Sequence, residues 1–296
     1  MTCAGAGGRY SSVIPNLDPS LIERLVRAAL EEDRAADDVT TLAVVDAALA
    51  GTATFLAKEA GVLAGLIVAE TCFRLIDPRC EFEPHFADGD RFERCDRLAT
   101  VAGPVRALLQ AERVALNFLQ RLCGTATLTR AFVDAVAGTG AAILDTRKTT
   151  PGLRDLEKYA VRCGGGANHR RDLAAMAMVK DNHREAILRR GRTLAEAVDA
   201  IRRRSPGVLV EIEVDRLEQL DEALAARPDW LLLDNMSPDV MAEAVRRIAG
   251  RAKVEASGGI RLDTVRAVAA TGVDAISVGA LTHSARALDI SLELEF

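Results

Sequence analysis

Residues 230–257, WLLLDNMSPDVMAEAVRRIAGRAKVEAS, decide the fold. A short apolar run, a helical stretch from Pro238 to Gly250 and a second short run containing Val254 follow one another, which is the pattern of a strand, a crossover helix and a parallel strand. The rhythm continues outward in both directions. AAILDT (141–146), AMVKD (177–181) and LVEIEV (209–214) precede this unit and AISVG (275–279) follows it. TLAEAVDAIRRR (193–204), LEQLDEALAAR (217–227) and LDTVRAVAATG (262–272) supply the intervening helices. Six candidate strands are too few for a closed eightfold barrel, so an incomplete (β/α) barrel competes with an open doubly wound sheet. Polar residues gathered at one set of strand ends favour the barrel.

The N-terminal part reads differently. Asp18-Pro19-Ser20 marks a helix start leading into LIERLVRAALEED, with the helix expected to end near Arg34. From Thr40 to about Leu109, short β-like runs (TATFLAKE, GVLAGLIV, CEFEPHF, LATVAG, VRALLQ) alternate with turn signals such as DGD and DP. A helical tract from about Ala111 to Val136, interrupted near Cys123-Gly124, bridges to the second half. The expected division is residues 1–122, an α/β sandwich with the bridging helix, and residues 123–284, the barrel, with the tail 285–296 packing back on the first.

Composition narrows the function. The chain has 296 residues, 49% of them hydrophobic, and a net charge of −5, so a nucleic-acid groove is not its main purpose. Its 4% aromatic content leaves little for base stacking. The six cysteines show no CxxC pair or zinc-like spacing and read as reduced, structural thiols. MTCAGAGGRYSS lacks the apolar core of a secretory signal, and no apolar run is long enough to span a membrane, so a cytoplasmic protein is expected.

Against this acidic background, the stretch 143–183 concentrates Arg147, Lys148, Arg154, Lys158, Arg162, His169, Arg170, Arg171 and Lys180 around Gly164-Gly165-Gly166. Its simplest partner is a small, multiply charged anion. Asp145 with Arg147 and Lys148, Lys180-Asp181, Glu211 with Glu213, Asp234-Asn235, Ser257-Gly258-Gly259 and Gly279 all fall at strand C-termini, which share one rim in a parallel barrel. Glu211 and Glu213 alternate onto one strand face and need cations there, from Lys148, Lys180 or a metal. Glu211 also admits a plainer reading, as a more solvent-exposed group or a structural salt-bridge partner. SGGI (257–260) and VGAL (278–281) suit backbone approach to a phosphate. The glycine triplet fits either a mobile loop or a close approach to substrate, and His183 fits a structural hydrogen bond as well as a ligand role.

DTRKTTPG, EKYAVRCGGGANHR, VKDNH, EIEV, LLDN, EASGGI and VGALTHS, preceded by AERVALNFLQRLCGTATLTR, resemble the quinolinate phosphoribosyltransferase family, also called nicotinate-nucleotide pyrophosphorylase (carboxylating). The resemblance runs in order from about Asp18 to Leu292. It implies an N-terminal α/β open-faced sandwich followed by an incomplete α/β barrel. It also implies Mg2+-dependent phosphoribosyl transfer from 5-phosphoribosyl 1-pyrophosphate to quinolinate with loss of carbon dioxide, in NAD biosynthesis. The implied assembly is a homodimer, or a hexamer of dimers, with shared sites, and no nucleic acid or membrane takes part. Carried over residue by residue, Arg113 is the arginine lent to the partner's site, while Thr146, Arg147, His169, Arg170 and Lys180 surround quinolinate and Lys148 lies beside both substrates. Glu213 and Asp234 match the acidic pair near ribose and metal, with any metal contact direct or through water. Together with Lys148 they are the expected catalytic residues. Ser257, Gly258, Gly259, Val278, Gly279 and Ala280 match the phosphate loops, with His283 beside them. Two departures stand out: EDRAADDVTT lacks a glycine usual nearby, and Cys95 occupies a position where glycine is common. The competing chemistries are a Schiff base on Lys148 or Lys180 and a non-catalytic phosphosugar-binding protein.

Overall fold

The computed structural model describes Ile14 and residues 16–295, so the leader reading of MTCAGAGGRYSS, and Cys3 within it, lie outside the described residues. The described residues form two compact units: those up to Arg130 together with Thr149–Gly165 and those from Leu281 on in one, and Ala131–Lys148 with Gly166–Ala280 in the other. Residues 149–165 and the C-terminal segment group with the N-terminal unit in this division.

In the first unit, helix α1 (Pro19–Glu32) starts as expected, with the Asp18 side chain accepting from the Ser20 amide. Helix α2 (Val39–Val44) follows, then strands β1 (Ala50–Ala57) and β2 (Gly61–Val62). The run GVLAGLIV is not a strand throughout, since Leu66 opens helix α3 (Leu66–Ile76), whose first amides are capped by Asp88. Strands β3 (Glu81–Pro84), β4 (Arg91–Phe92) and β5 (Arg97–Pro104) come next. VRALLQ, expected as β-like, is instead the first turn and a half of helix α4 (Val105–Ala135), which is unbroken at Gly124. Gly124 is there for proximity: a Cβ would come within 1.9 Å of the Arg286 carbonyl oxygen. Helix α5 (Arg154–Cys163) was not legible as one. The main sheet runs antiparallel in the order C-terminal strand (Ile290–Glu295), β1, β5, β3. Phe55 from β1 meets Phe73 from α3 edge to face at 6.0 Å in its core.

Two details of this unit follow from the departures noted above. Arg34 and Cys95 both adopt left-handed backbone, at φ 50° and 75°. Cys95 sits in the turn between β4 and β5, its amide donating to the Ala57 carbonyl. A side chain in this region is strained in a way glycine is not. Cys95→Gly should therefore stabilise the protein by about 1 kcal/mol and raise Tm by a few degrees. An unchanged or lower Tm in a thermal melt contradicts this. The cysteines Cys72, Cys80, Cys95, Cys123 and Cys163 are unpaired. Burial pushes the Cys72 and Cys123 thiols up to about 12, which keeps them protonated and inert.

The second unit holds a parallel sheet of β6 (Ala142–Leu144), β7 (Ala177–Val179), β8 (Val210–Val214), β9 (Trp230–Asp234), β10 (Lys253–Ser257) and β11 (Ala275–Ser277). Helices α6 (Asp181–Arg189), α7 (Leu194–Arg204), α8 (Leu220–Ala225), α9 (Pro238–Ile248) and α10 (Val265–Ala269) connect the strands from β7 to β11. The order is β6-β11-β10-β9-β8-β7, stepping in one direction with the first strand beside the last. A doubly wound sheet reverses direction in its middle and this one does not. Ala167 adds a parallel bridge to Leu144 on the outer edge of β6. In a flat sheet that edge segment and β8 would be ~24 Å apart, at about 4.8 Å per strand. The neighbouring His169 instead lies 3.3 Å from Glu211 of β8, so the sheet is rolled into a barrel whose seam falls between β6 and β7. Strand alternation leaves Val210, Ile212, Val214, Leu231, Leu233, Val254, Ala256 and Ile276 buried on the opposite face, where crossover helices pack. Among the described residues no helix is long and apolar enough to cross a membrane.

Candidate active site

Strand register decides which side chains share the barrel interior. Glu213 pairs with Leu232 and Leu232 with Glu255, while Met178 pairs with Glu211 and Asp234 with Ser257. Residues paired in a parallel ladder point to the same side, so Lys180, Glu211, Glu213, Asp234, Glu255, Ser257 and Ser277 share one face. Lys180, Glu213, Asp234 and Ser257 stand at the C-terminal ends of their strands or just beyond. Of the cations anticipated for the two strand glutamates, Lys180 does pair with Glu213, at 2.8 Å. Glu211 is wholly buried and faces His169 rather than a lysine, so the solvent-exposed reading of it fails and its neighbour is a histidine ring.

The segment after β6 carries the cationic part. Asp145, fully buried, accepts hydrogen bonds from Asn168 Nδ2 (2.6 Å) and from the His169 amide (2.9 Å). That anchor, with the Ala167 bridge, places residues 168–170 at the C-terminal end of β6. The Arg170 guanidinium donates to the Met176 carbonyl at 3.0 Å and lies 3.5 Å from Met178 Sδ. Burial, and after it the positive charge of Arg147, lowers the Arg170 pKa. Two guanidiniums close enough to oppose each other in a partly dry site make a receptor for an anion with more than one negative group. Thr146 Oγ1 accepts from the Lys148 amide at 3.0 Å, bending the chain just past β6, and Lys148 itself is exposed.

Beneath the rim lies a buried group that sequence reading missed in part. His169 Nε2 is 3.3 Å from Glu211 and 3.2 Å from Glu255, and all three side chains are buried. Burial opposes protonation of the ring, but the two carboxylates outweigh it and push its pKa up to about 9. Burial, then the neighbouring Glu255 charge, pushes the Glu211 carboxyl up to about 7, with His169 acting the other way. Glu255 also accepts a short hydrogen bond from Ser277 Oγ. The signal for Glu255 was available: a carboxylate between Val254 and Ala256 inside a strand, facing the same side as Glu213.

The phosphate-loop candidates have mixed standing. Gly258 has φ 90°, and a Cβ there would come within 2.3 Å of Asn235 Oδ1, so glycine is required by packing as well as by backbone conformation. Gly259, at φ 60°, would meet nothing within 4 Å, the open surround that a ligand approach needs. The Val278 amide is engaged by the Leu144 carbonyl at 2.9 Å, so Val278 offers a ligand its position in the loop rather than its N–H. Ala280 opens a short helical turn ending at His283, whose exposed ring hydrogen-bonds Ser284. His183 Nδ1 accepts from the Lys180 amide, the structural role anticipated for it. Neither reading of the glycine triplet describes Gly164, which is buried and sits where a Cβ would strike the Ala126 carbonyl at 2.4 Å. Lys158 and Arg162, counted with the basic cluster, are buried in α5. Arg113 is exposed on α4.

An incomplete α/β barrel with arginine, lysine and carboxylate side chains at its strand ends has the architecture of the α/β-barrel enzymes, which bind substrates at that rim. Family models for the quinolinate phosphoribosyl transferase N-terminal and C-terminal domains match residues 38–123 and 125–293. A nicotinate-nucleotide pyrophosphorylase [carboxylating] of Mycobacterium leprae is 45% identical over 277 residues, covering 91% of this chain and 95% of its own. A quinolinate phosphoribosyltransferase [decarboxylating] of Nicotiana glauca is 40% identical, over 93% of this chain and 82% of its own. The crystal structure of NadC from Streptococcus pyogenes superposes with a TM-score of 0.90 at 43% identity, covering 95% of this chain and 99% of that one. The chain belongs to the quinolinate phosphoribosyltransferase family.

Proposed function

We propose that this enzyme transfers the phosphoribosyl group of 5-phosphoribosyl 1-pyrophosphate to quinolinate with decarboxylation. The products are nicotinate mononucleotide, pyrophosphate and carbon dioxide, as a cytoplasmic step of NAD biosynthesis. The observation that carries this reading is that the bonds of Asp145 to Asn168 and His169 bring Arg170 to the same end of β6 as Arg147, in the unit where Glu213 and Asp234 stand at adjacent strand ends. Guanidinium forks suit the two carboxylates of a pyridine diacid. Lys180 adds a mobile charge, already close to Glu213, and His169 stands in the same shell.

In the reaction the pyridine nitrogen attacks the ribose C1 and pyrophosphate leaves. Positive charge develops on the sugar, and Glu213 and Asp234 are the carboxylates able to stabilise it or hold the ribose hydroxyls. Lys148, exposed just past β6, lies on the side of the donor phosphates and the quinolinate carboxylates and serves both. Backbone at Ser257, Gly258 and Gly259 receives the 5-phosphate, with Val278, Gly279, Ala280 and His283 as the second loop. The positive pyridinium nitrogen then stabilises the electron pair left on the adjacent ring carbon as its carboxylate departs as carbon dioxide, and a proton from water takes the vacated position. Arginine-held carboxylates keep the ring in place for that loss.

Glu213 and Asp234 are hard oxygen donors on neighbouring strands, and one or two carboxylates together with substrate phosphates are a usual Mg2+ environment. Asp234 already accepts from Asn235 Nδ2 at 2.6 Å and Glu213 from Lys180, so both are oriented as acceptors. When bound, Mg2+ supplies charge neutralisation for the departing pyrophosphate. The assembly is a homodimer or a hexamer of dimers in which Arg113 serves the partner's site. An exposed apolar set supports a partner surface on the same unit: Val39 and Val44 are 81% and 75% exposed, with Leu42 and Leu49 beside them in sequence. Arg106 of α4 donates to the Leu42 and Val45 carbonyls, which joins that set to the helix bearing Arg113.

Purified protein given quinolinate, 5-phosphoribosyl 1-pyrophosphate and Mg2+ should release pyrophosphate and carbon dioxide in equal amounts. Pyrophosphate without carbon dioxide, or no turnover, overturns the assignment. Borohydride trapping that inactivates the enzyme in the presence of a sugar phosphate would point to the Schiff-base chemistry instead.

A further inference from the structure

The buried group formed by His169, Glu211 and Glu255 has a role that differs from substrate contact. His169 Nδ1 faces the amide of Arg170, which donates to it at 2.7 Å. A nitrogen that accepts a hydrogen bond carries no proton, so a neutral ring must hold its proton on Nε2. Nε2 in turn is directed at the two glutamates, at 3.2 and 3.3 Å. Both ring nitrogens are therefore occupied inside the protein.

Glu255 is the better acceptor of the two. Its other oxygen is tied to Ser277 Oγ, which fixes the carboxylate plane, whereas neither Glu211 oxygen makes a hydrogen bond among the described residues. The same geometry speaks against a cation in the group, although the three side chains bring ligand atoms within 4.8 Å of one another. A metal needs the lone pair of Nε2, and the Arg170 amide has already claimed the other nitrogen's lone pair. The two carboxylates favour a second proton on the ring, as its raised pKa reflects, but a doubly protonated ring would set two N–H groups against each other across 2.7 Å, so the Nδ1 contact keeps the ring neutral.

We infer that His169 is a positioning residue: a Ser277–Glu255–His169 chain holds the Arg170 amide, and so aims the Arg170 guanidinium at the anion bound at the rim. The backbone on the other side is held by Asp145, which accepts from the His169 amide, so residues 168–170 are clamped from two directions. Glu211 completes the group as a second buried carboxylate facing Nε2. The inference rests on the proposed anion site for its consequence and on hydrogen-bond geometry for its substance.

Two measurements test it. Isotope-labelled histidine NMR of the intact enzyme at neutral pH, with the His169 signals identified by their loss in His169→Gln, should show the ring protonated on Nε2 only. A ring protonated on Nδ1, or on both nitrogens, overturns the inference whether or not the enzyme turns over quinolinate. The second measurement compares Glu255→Leu with Glu255→Gln. Leucine removes the acceptor and should raise the quinolinate KM about tenfold while changing kcat much less, the size typical of losing a supporting hydrogen bond behind a binding group. Glutamine keeps an acceptor for Nε2–H and can turn its amide to Ser277, so it should recover most of that loss. If glutamine is as impaired as leucine, the role is charge and not positioning. If Glu255→Leu does not fold, the glutamine variant and the tautomer of the wild-type ring still decide.

Discussion

Arg147→Ala should raise the quinolinate KM by roughly two orders of magnitude, the effect of removing one partner from a desolvated, hydrogen-bonded charge pair. The expectation comes from the position of Arg147 just past β6 and from its electrostatic opposition to Arg170. The two like charges oppose each other, and Arg147 stands beyond the strand rather than in the buried core, so the variant should stay folded and melt close to the parent. Loss of quinolinate affinity with preserved or increased thermal stability separates a binding role from a structural one. Quinolinate saturation unchanged in steady-state kinetics would remove Arg147 from the site and, with it, the main support for a dicarboxylate substrate.

A larger relative effect is expected from mixing two dead variants. Arg113→Ala and Arg147→Ala should each be nearly inactive alone at modest quinolinate concentration. If each site takes Arg113 from one chain and Arg147 from the other, a heterodimer has one intact site and one doubly damaged site. Random mixing should then restore about one quarter of parental activity, since half the dimers are mixed and each has one of two sites. Arg113 is exposed on α4, in the unit that also presents the apolar residues Val39, Leu42, Val44 and Leu49. Heterodimers isolated by two affinity tags and found inactive would show that Arg113 acts within its own chain or not at all.

The Cys95 substitution bears on a different matter, how this chain tolerates departures from its family's pattern. Cys95 and Arg34 take left-handed backbone in segments where glycine is otherwise usual. Both belong to the first unit, whereas the rim of β6 to β11 belongs to the second. The chemistry of the site is untouched by them, and the strain they carry is local.

Reading the chain alone established a good deal. The strand and helix periods of residues 141–279 gave parallel crossovers, because a strand buried on both faces and an amphipathic helix each leave a local signature. The rim residues Lys180, Glu213, Asp234 and Ser257 could be named because strand ends converge in any parallel barrel. The segments misread were those where tertiary contact overrides local pattern. LIVAETCFRLI and VRALLQ are apolar enough for strands, and only packing makes them α3 and the start of α4. Gly124 looked like a helix break and is a point of close approach to Arg286. The meeting of His169 with Glu211 and Glu255 depends on the sheet rolling until its outer edge faces β8, a contact between residues 42 and 86 positions apart that no local period encodes. Sequence therefore determined which elements form and which residues stand at their ends, since those are set by nearest neighbours along the chain. Only the tertiary structure decided which buried groups touch and which way the His169 ring faces, since those depend on distances closed across the barrel.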